Sequence, residues 1–261
     1  MEPTQGLTAR DLARCFARCY LVGATGNTRG GQNIGLAFAV EPGLRAIHRE
    51  PQALKKAVKR YVGHFNSHPF WLPCLVGMFL ATELRIKEGT FPAEMLNKVR
   101  NTTAYTLSAI GDSVFAGSLL VFWALATACL LLAGQRGLPL AFGLVLFAAL
   151  QAFRCYSFVA GFRLGLRFLE RLKHWDLIDM GQRVKCLNAV LVLWLWVQLW
   201  PRPVDWRVWL AVVAGFLTAG RLVHMRWLPR EGVALLFLVA CAIAPRIGEG
   251  FSALWQGLAG Q

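Results

Sequence analysis

Acidic residues are scarce in this chain: Asp and Glu number 14 among 261 residues, against 28 Lys and Arg, and charged residues of either sign make up only 16%. Soluble domains carry roughly 25%, so there is too little polar surface to clothe a water-soluble globule of this length. Several chemical signatures are missing as well. There is no C-x-x-C pair, no P-loop, no dinucleotide fingerprint and no G-x-S-x-G elbow, which leaves metal, nucleotide and covalent catalysis without visible machinery. No cofactor, metal or catalytic residue is expected. Residues 1–6 offer no apolar run ahead of a cleavage site, so a secretory signal is not expected and the N-terminal part is assigned to the cytoplasm. Internal repeats and low-complexity runs are also lacking.

What is abundant is apolar surface: 56% of residues are hydrophobic and 12% aromatic, with a mean hydropathy of +0.46. The bilayer is the expected solvent. The formal charge of +14 suits anionic lipid and cytoplasmic loops that follow the positive-inside rule. It does not suit nucleic acid, because the basic residues are interleaved with apolar runs and not gathered on one soluble face. Seven cysteines (Cys15, Cys19, Cys74, Cys129, Cys155, Cys186, Cys241) are odd in number and irregular in spacing, and free thiols are expected.

From Thr8 onward, Leu12, Cys15, Phe16, Cys19 and Tyr20 recur at helical spacing while Arg10, Arg14 and Arg18 step along another face. Thr8 and Asp11 form a T-x-x-D start signal. A second amphipathic helix starts at Pro51, with Leu54, Ala57, Val58, Tyr61, Val62 and Phe65 on one side and Lys55, Lys56, Lys59 and Arg60 on the other. Such helices suit either an anionic membrane surface or a protein partner with the basic face in solvent. The glycine-rich stretch 23–35 between them is expected to turn.

Residues 70–82 are apolar but short of the roughly 20 a spanning helix needs, the length of a re-entrant segment. Residues 114–133 form the clearest transmembrane span, and 138–153 a second that ends at Arg154. Further apolar stretches at 186–200, 208–220 and 233–244 give about three to five crossings. The cluster Arg163, Arg167, Arg171, Lys173, Arg183 and Lys185 marks a cytoplasmic connection. Trp194, Trp196, Trp200, Trp206 and Trp209 bracket a Pro-Arg-Pro turn at 201–203 as an interfacial belt would.

His64 and His68 are four apart, which on a helix would put two imidazoles on one face, but no third metal ligand is near. Asp112, with Ser113, reads equally as the N-cap of the long span or as a functional group at membrane depth. Glu83 reads as part of a solvated charge cluster with Arg85, Lys87 and Glu88, and Arg154 as a snorkelling side chain.

Residues 32–42 (QNIGLAFAVEP), 65–69 (FNSHP) and 110–115 (IGDSVF) occur in the order and at the distances of three motifs of one membrane family. They resemble the IID subunit of mannose/fructose/sorbose-family phosphotransferase systems (PTS). Residues 7–20 (LTARDLARCFARCY) resemble that family's opening helix and 154–165 (RCYSFVAGFRLG) its mid-chain run, so the likeness covers about residues 7 to 200. The resemblance implies a multi-pass plasma-membrane subunit that moves a hexose together with a IIC partner, while cytoplasmic IIA and IIB proteins carry the phosphoryl group. It implies no phosphorylation site in this chain, docking of IIB, and a homo-oligomeric IIC–IID complex, trimeric in the family. By motif, Asn66, His68, Asp112 and Ser113 would face the sugar path, with Asn27 and Gln32 also assigned to substrate binding. Sugars are neutral and are recognised through hydroxyl hydrogen bonds to a few placed groups.

Three departures bear on function. Residues 26–32 (GNTRGGQ) keep Asn27 and Gln32 but place Arg29 where the family has an acid; residues 102–109 (TTAYTLSA) lack the family's glycines and proline; and Tyr61 replaces a histidine. They motivate an alternative, a divergent IID-like scaffold or docking subunit without transport. A membrane enzyme using His64 and His68 with a metal is a third reading. The expected fold is an all-α integral membrane protein: interfacial amphipathic helices over 1–69, a re-entrant hairpin region over 70–113, and transmembrane helices over 114–261.

Overall fold

In the computed structural model, residues 7–199 and 206–227 are described, with residues 229, 231, 232 and 235. The chain divides into two units, residues 1–199 and 200–261. The expected span at 233–244, Cys241 and the turn at 201–203 lie outside the described residues or almost wholly so.

The first unit opens on α1 (Ala9–Arg18), whose start is set as the T-x-x-D spacing requires: Asp11 N–H donates to Thr8 Oγ1, and Thr8 N–H to the Asp11 carboxylate. Its apolar face is spent inside the protein, with Cys15 buried and Leu12 and Phe16 packed on the core. A 3-10 segment (Cys19–Thr25) and a looped stretch lead to α2 (Asn33–Ile47), which runs antiparallel to α1. Gly35 lets α2 pack on the 3-10 segment, since a Cβ there would lie 2.7 Å from Val22 Cα. The short α3 (Pro51–Lys59) starts on proline at a first-turn position and buries Ala57.

Helix α4 (Leu72–Lys87) is the centre of the unit. Leu72 to Leu80 are all buried, as are Thr82 and Glu83. Sixteen residues are too few to cross a bilayer, and here the protein surrounds them. The main partner of α4 is α7 (Gly137–Leu164), and the two backbones meet through glycines: a Cβ on Gly161 would lie 2.5 Å from Cys74 O, and one on Gly77 would strike the α7 backbone. Small residues that admit close helix approach are a common device of membrane packing.

Helix α5 (Met95–Gly111) continues without a break through a wide-turned segment, Asp112–Leu119, into α6 (Leu120–Leu132). The span read from apolarity alone as starting at residue 114 is therefore the second half of a 38-residue helix, Met95–Leu132. Apolarity alone does not mark its first half, because the buried positions there, Leu96, Arg100, Thr103, Ala104, Leu107 and Gly111, carry the helical period but little hydrophobicity. Among the described residues two helices, Met95–Leu132 and Gly137–Leu164, are long and apolar enough to cross a membrane. Both leave most of their apolar windows unburied, which in a membrane protein is the face for lipid or a partner. A short α8 (Arg167–Lys173) follows, and α9 (Leu177–Leu199) packs against α6 and the wide-turned segment. The second unit contributes α10 (Trp206–His224), which covers the expected apolar stretch at 208–220.

Candidate functional site

The polar residues of the Asn-Ser-His-Pro and Gly-Asp-Ser motifs come together where the loop before α4 meets the junction of α5 and α6. Residues 60–71 are not helical, because Gly63 and Pro69 interrupt any helix through them. His64 and His68 therefore share no helix face, and the reading that paired them is corrected. His64 is exposed, whereas His68 is buried.

His68 is fixed from two sides. Its ring stacks on Phe115 at 5.4 Å between centroids and 19° from coplanar. A Cβ on Gly111 would lie 2.5 Å from His68 Cβ and Cγ, so only glycine at that position lets the imidazole reach the helix. Phe70 N–H lies 3.4 Å from His68 Nδ1 in donor geometry, which requires a neutral imidazole with its proton on Nε2. Burial pushes the His68 pKa below its ordinary value, and the nearby Asp112 carboxylate opposes that shift without overcoming it.

Asp112 and Ser113 do not cap a helix. Asp112 has helical backbone angles and follows a complete helix, so the capping alternative is corrected, and Gly111 sits mid-helix as a contact point. From here the backbone bonds i→i+5, as Leu120 N–H to Phe115 O shows. Such widening inside an α-helix is frequent at functional sites. Ser118 secures it, its single hydroxyl proton shared between Ser113 O at 2.7 Å and Gly181 O at 3.1 Å.

The sequence reading missed what α9 brings. Lys185 Nζ donates to Ser113 Oγ at 3.1 Å, and Asn188 Nδ2 to Ser118 O at 3.0 Å. In the sequence Lys185 reads as one charge of a basic connection; its signal is the i, i+3 spacing from Asn188, which puts the two on one face of a helix. Asp112 is exposed beside this cluster. Asn66 is also exposed, one residue from the anchored Phe65.

Asn27 and Gln32 stand further back and tie the loop. Asn27 Oδ1 accepts from Gly30 N–H at 2.7 Å and its Nδ2 donates to Gly31 O at 2.9 Å, while Gln32 N–H donates to Phe65 O at 2.7 Å. Gln32 Oε1 also accepts from Ser67 N–H at 3.3 Å. The turn needs glycine at Gly31, where φ is +66°. These bonds hold residues 65–67 against residues 30–32.

A second network, expected as a solvated cluster, is buried. Glu83 is 0% exposed and accepts from Arg60 Nε at 3.0 Å and Tyr61 Oη at 3.0 Å, with His48 Nε2 at 3.0 Å. Burial pushes the Glu83 carboxyl up, but the hydrogen bonds from His48 and Arg60, the Arg60 charge and the Tyr61 hydroxyl prevail and leave it below its ordinary value. Arg100 of α5 adds bonds to the carbonyls of Arg60 and His64. The loop bearing Asn66 and His68 is thus clamped at both ends. Arg154 also departs from expectation: it is buried with its guanidinium 3.7 Å from the Tyr20 ring centroid, because the 3-10 segment after α1 supplies an aromatic face. Among the described residues no group of three His, Cys, Asp or Glu is placed to hold a metal.

Comparison with known proteins decides the family. The family model for the PTS system mannose/fructose/sorbose family IID component matches residues 6–197. The chain belongs to this family. The mannose-specific EIID component of Escherichia coli K12 is 26% identical over 166 residues, 63% of this chain and 59% of its own length. The fructose permease IID component of Bacillus subtilis 168 is 22% identical over 173 residues, 66% of this chain and 63% of its own length. The match thus spans less than two thirds of these relatives. Among solved structures, a chain described only as a membrane protein superposes with a TM-score of 0.72 at 21% identity, covering 93% of this chain and 98% of that one. A chain from the cryoEM structure of the mannose transporter ManYZ with microcin E492 does so with a TM-score of 0.57 at 21% identity, covering 95% and 98%. The IID chain described here therefore has the fold of all-α integral membrane proteins, as its sequence led one to expect.

Proposed function

We propose that this IID component works with a IIC subunit to translocate a hexose across the plasma membrane, coupled to sugar phosphorylation by IIA and IIB proteins. The observation that carries the reading is the meeting of His68 with the Gly111-Asp112-Ser113 turn. Two motifs more than forty residues apart in sequence supply a neutral imidazole, a carboxylate and a hydroxyl on one patch, with Lys185 joined to the hydroxyl. Such groups suit a polyhydroxylated, uncharged ligand, and non-ideal helical backbone at membrane depth is tolerated where it lines a cavity or a partner.

In this reading Asn66, His68, Asp112 and Ser113 face the sugar path. Asn27 and Gln32 shape the loop from which Asn66 and His68 project, Asp112 and Ser113 close the loop-to-helix region 70–113, and the helices that precede this loop belong to the interfacial part of the chain. The N-terminus is cytoplasmic, since the basic connection between α7 and α9, with Arg163, Arg167 and Arg171, belongs inside. The chain carries no phosphorylation site and assembles as a homo-oligomeric IIC–IID complex.

The test is uptake and phosphorylation of labelled hexoses by membranes containing this chain with its IIC partner, IIA, IIB, HPr, enzyme I and phosphoenolpyruvate. Phosphorylated sugar that is lost in Asp112→Ala and His68→Ala supports the reading. An assembled complex inactive on every hexose would instead favour a scaffold without transport.

A further inference from the structure

Helices α1 and α2 enclose a groove of about 720 Å³ lined by Arg14, Arg18, Arg45 and Arg49, with Asp11 and Glu41 the only acids. Both acids are already engaged. Asp11 serves the cap of α1, and Glu41 binds Arg18 at 2.9 Å and Arg45 at 2.7 Å. Glu41 therefore orients two guanidinium groups and neutralises at most one charge. Neither Arg14 nor Arg49 makes an ion pair among the described residues.

The groove lies at one end of a polarity gradient that three helices share. Along α1 and its extension, exposed Tyr20 and Leu21 give way to Arg18, Arg14 and Arg10; along antiparallel α2, exposed Ile34 and Phe38 give way to Arg45 and, past its end, Arg49. Helix α7 follows the same direction. Its apolar run ends where Tyr20 Oη donates to Gln151 at 2.6 Å and Arg154 covers the Tyr20 ring, Phe16 meets Phe158 one turn on, and Arg163 lies beyond. The boundary passes through Arg18, whose guanidinium lies 4.1 Å from the centroid of exposed Phe38. The transverse apolar stripe of α1, in contrast, is used up in the core, so α1 does not lie on a membrane by that face.

We propose that this groove binds the phosphate of an anionic phospholipid headgroup, with the acyl chains against Tyr20, Leu21, Ile34 and Phe38. Guanidinium pairs suit phosphate oxygens, and a single lipid satisfies both the basic groove and the apolar residues beside it. A soluble phosphate ester has the same headgroup chemistry but leaves the apolar residues uncovered.

The test is native mass spectrometry of the full chain in mild detergent, titrated with phosphatidylglycerol, phosphatidylcholine or glycerol 3-phosphate. Phosphatidylglycerol is expected to bind preferentially. Each arginine near an anionic headgroup contributes about a fivefold factor, so Arg14→Gln with Arg49→Gln weakens binding on the order of thirtyfold. Lys55→Gln with Lys59→Gln, on the exposed face of α3, leaves it unchanged. If the double variant does not fold, Arg49→Gln alone, outside any helix, is expected to weaken binding about fivefold. Equal binding of phosphatidylglycerol and phosphatidylcholine, equal affinity of wild type and groove variant, or glycerol 3-phosphate binding as tightly as the lipid would each overturn the proposal. So would loss of lipid binding on assembly with the IIC partner, which would mean that protein covers the face.

Discussion

Lys185 and Ser113 are joined by a hydrogen bond of 3.1 Å across 72 residues of sequence, so the hydroxyl of the Gly-Asp-Ser motif is oriented by a cation from α9. A hydrogen bond to a charged group contributes about 1.5–3 kcal/mol. Lys185→Met is therefore expected to raise the sugar concentration for half-maximal uptake about tenfold or more. Ser113→Ala should do the same, and the double variant should be no worse than either single one. Independent, additive losses in this cycle would show that the pair does not act as a unit.

Gly111→Ala puts a methyl group into the space held by the His68 ring. Overpacking of this kind costs about 1–3 kcal/mol, and its local effect is to push the imidazole off Phe115. Hexose uptake is expected to fall as far as in His68→Ala, with the assembled protein still recovered from membranes. Uptake at the wild-type rate would mean that the His68 position is immaterial.

His68 also gives a pH dependence with a definite sign. Its folded pKa lies below the ordinary 6.5 because burial disfavours the charged ring. The stabilising contribution of the neutral ring is fully present above 6.5 and is lost as pH falls through the folded value. Uptake measured at constant sugar concentration should decline on that acid side, and His68→Gln, which cannot titrate, should lose this limb. An unchanged limb in the variant would assign it to another group.

The Glu83 network is expected to dominate acid sensitivity of the fold. Its carboxyl pKa is lowered below 4.5 by His48, Arg60 and Tyr61 against the effect of burial, so its contribution is present above 4.5 and is lost as pH falls through the folded value. Removing one partner of a buried pair costs about 3–5 kcal/mol. Glu83→Gln should lower the unfolding temperature at neutral pH and narrow its gap to wild type as the buffer is acidified. A gap that stays constant through that window would refute the assignment.

The contrast between these residues explains what could be read in advance. The Thr8–Asp11 cap, the apolar faces of α1 and α3 and the spans around 114–153 are local patterns, and local patterns survive in a sequence. The meeting of the Asn-Ser-His-Pro and Gly-Asp-Ser motifs came only through resemblance, since no spacing rule links residue 68 to residue 112. Glu83 was misjudged because its neighbours in sequence are charged, whereas its partners in space come from residues 48, 60 and 61. Arg154 was misjudged for the same reason, its aromatic partner lying 134 residues earlier. Lys185 hid among basic residues whose collective charge suggested a loop.

The wide-turned segment Asp112–Leu119 fixes the angular phase between the two halves of a single long helix. An α-helix advances about 100° per residue, and i→i+5 bonding accommodates an extra residue in a turn. Over the eight residues of this segment each residue advances less than it would in a regular spiral, so the half beside His68 and the half that faces α9 keep a different angular relation from that of an unbroken α-helix. The chain thus aims two faces of one continuous rod in different directions without a hinge or a break.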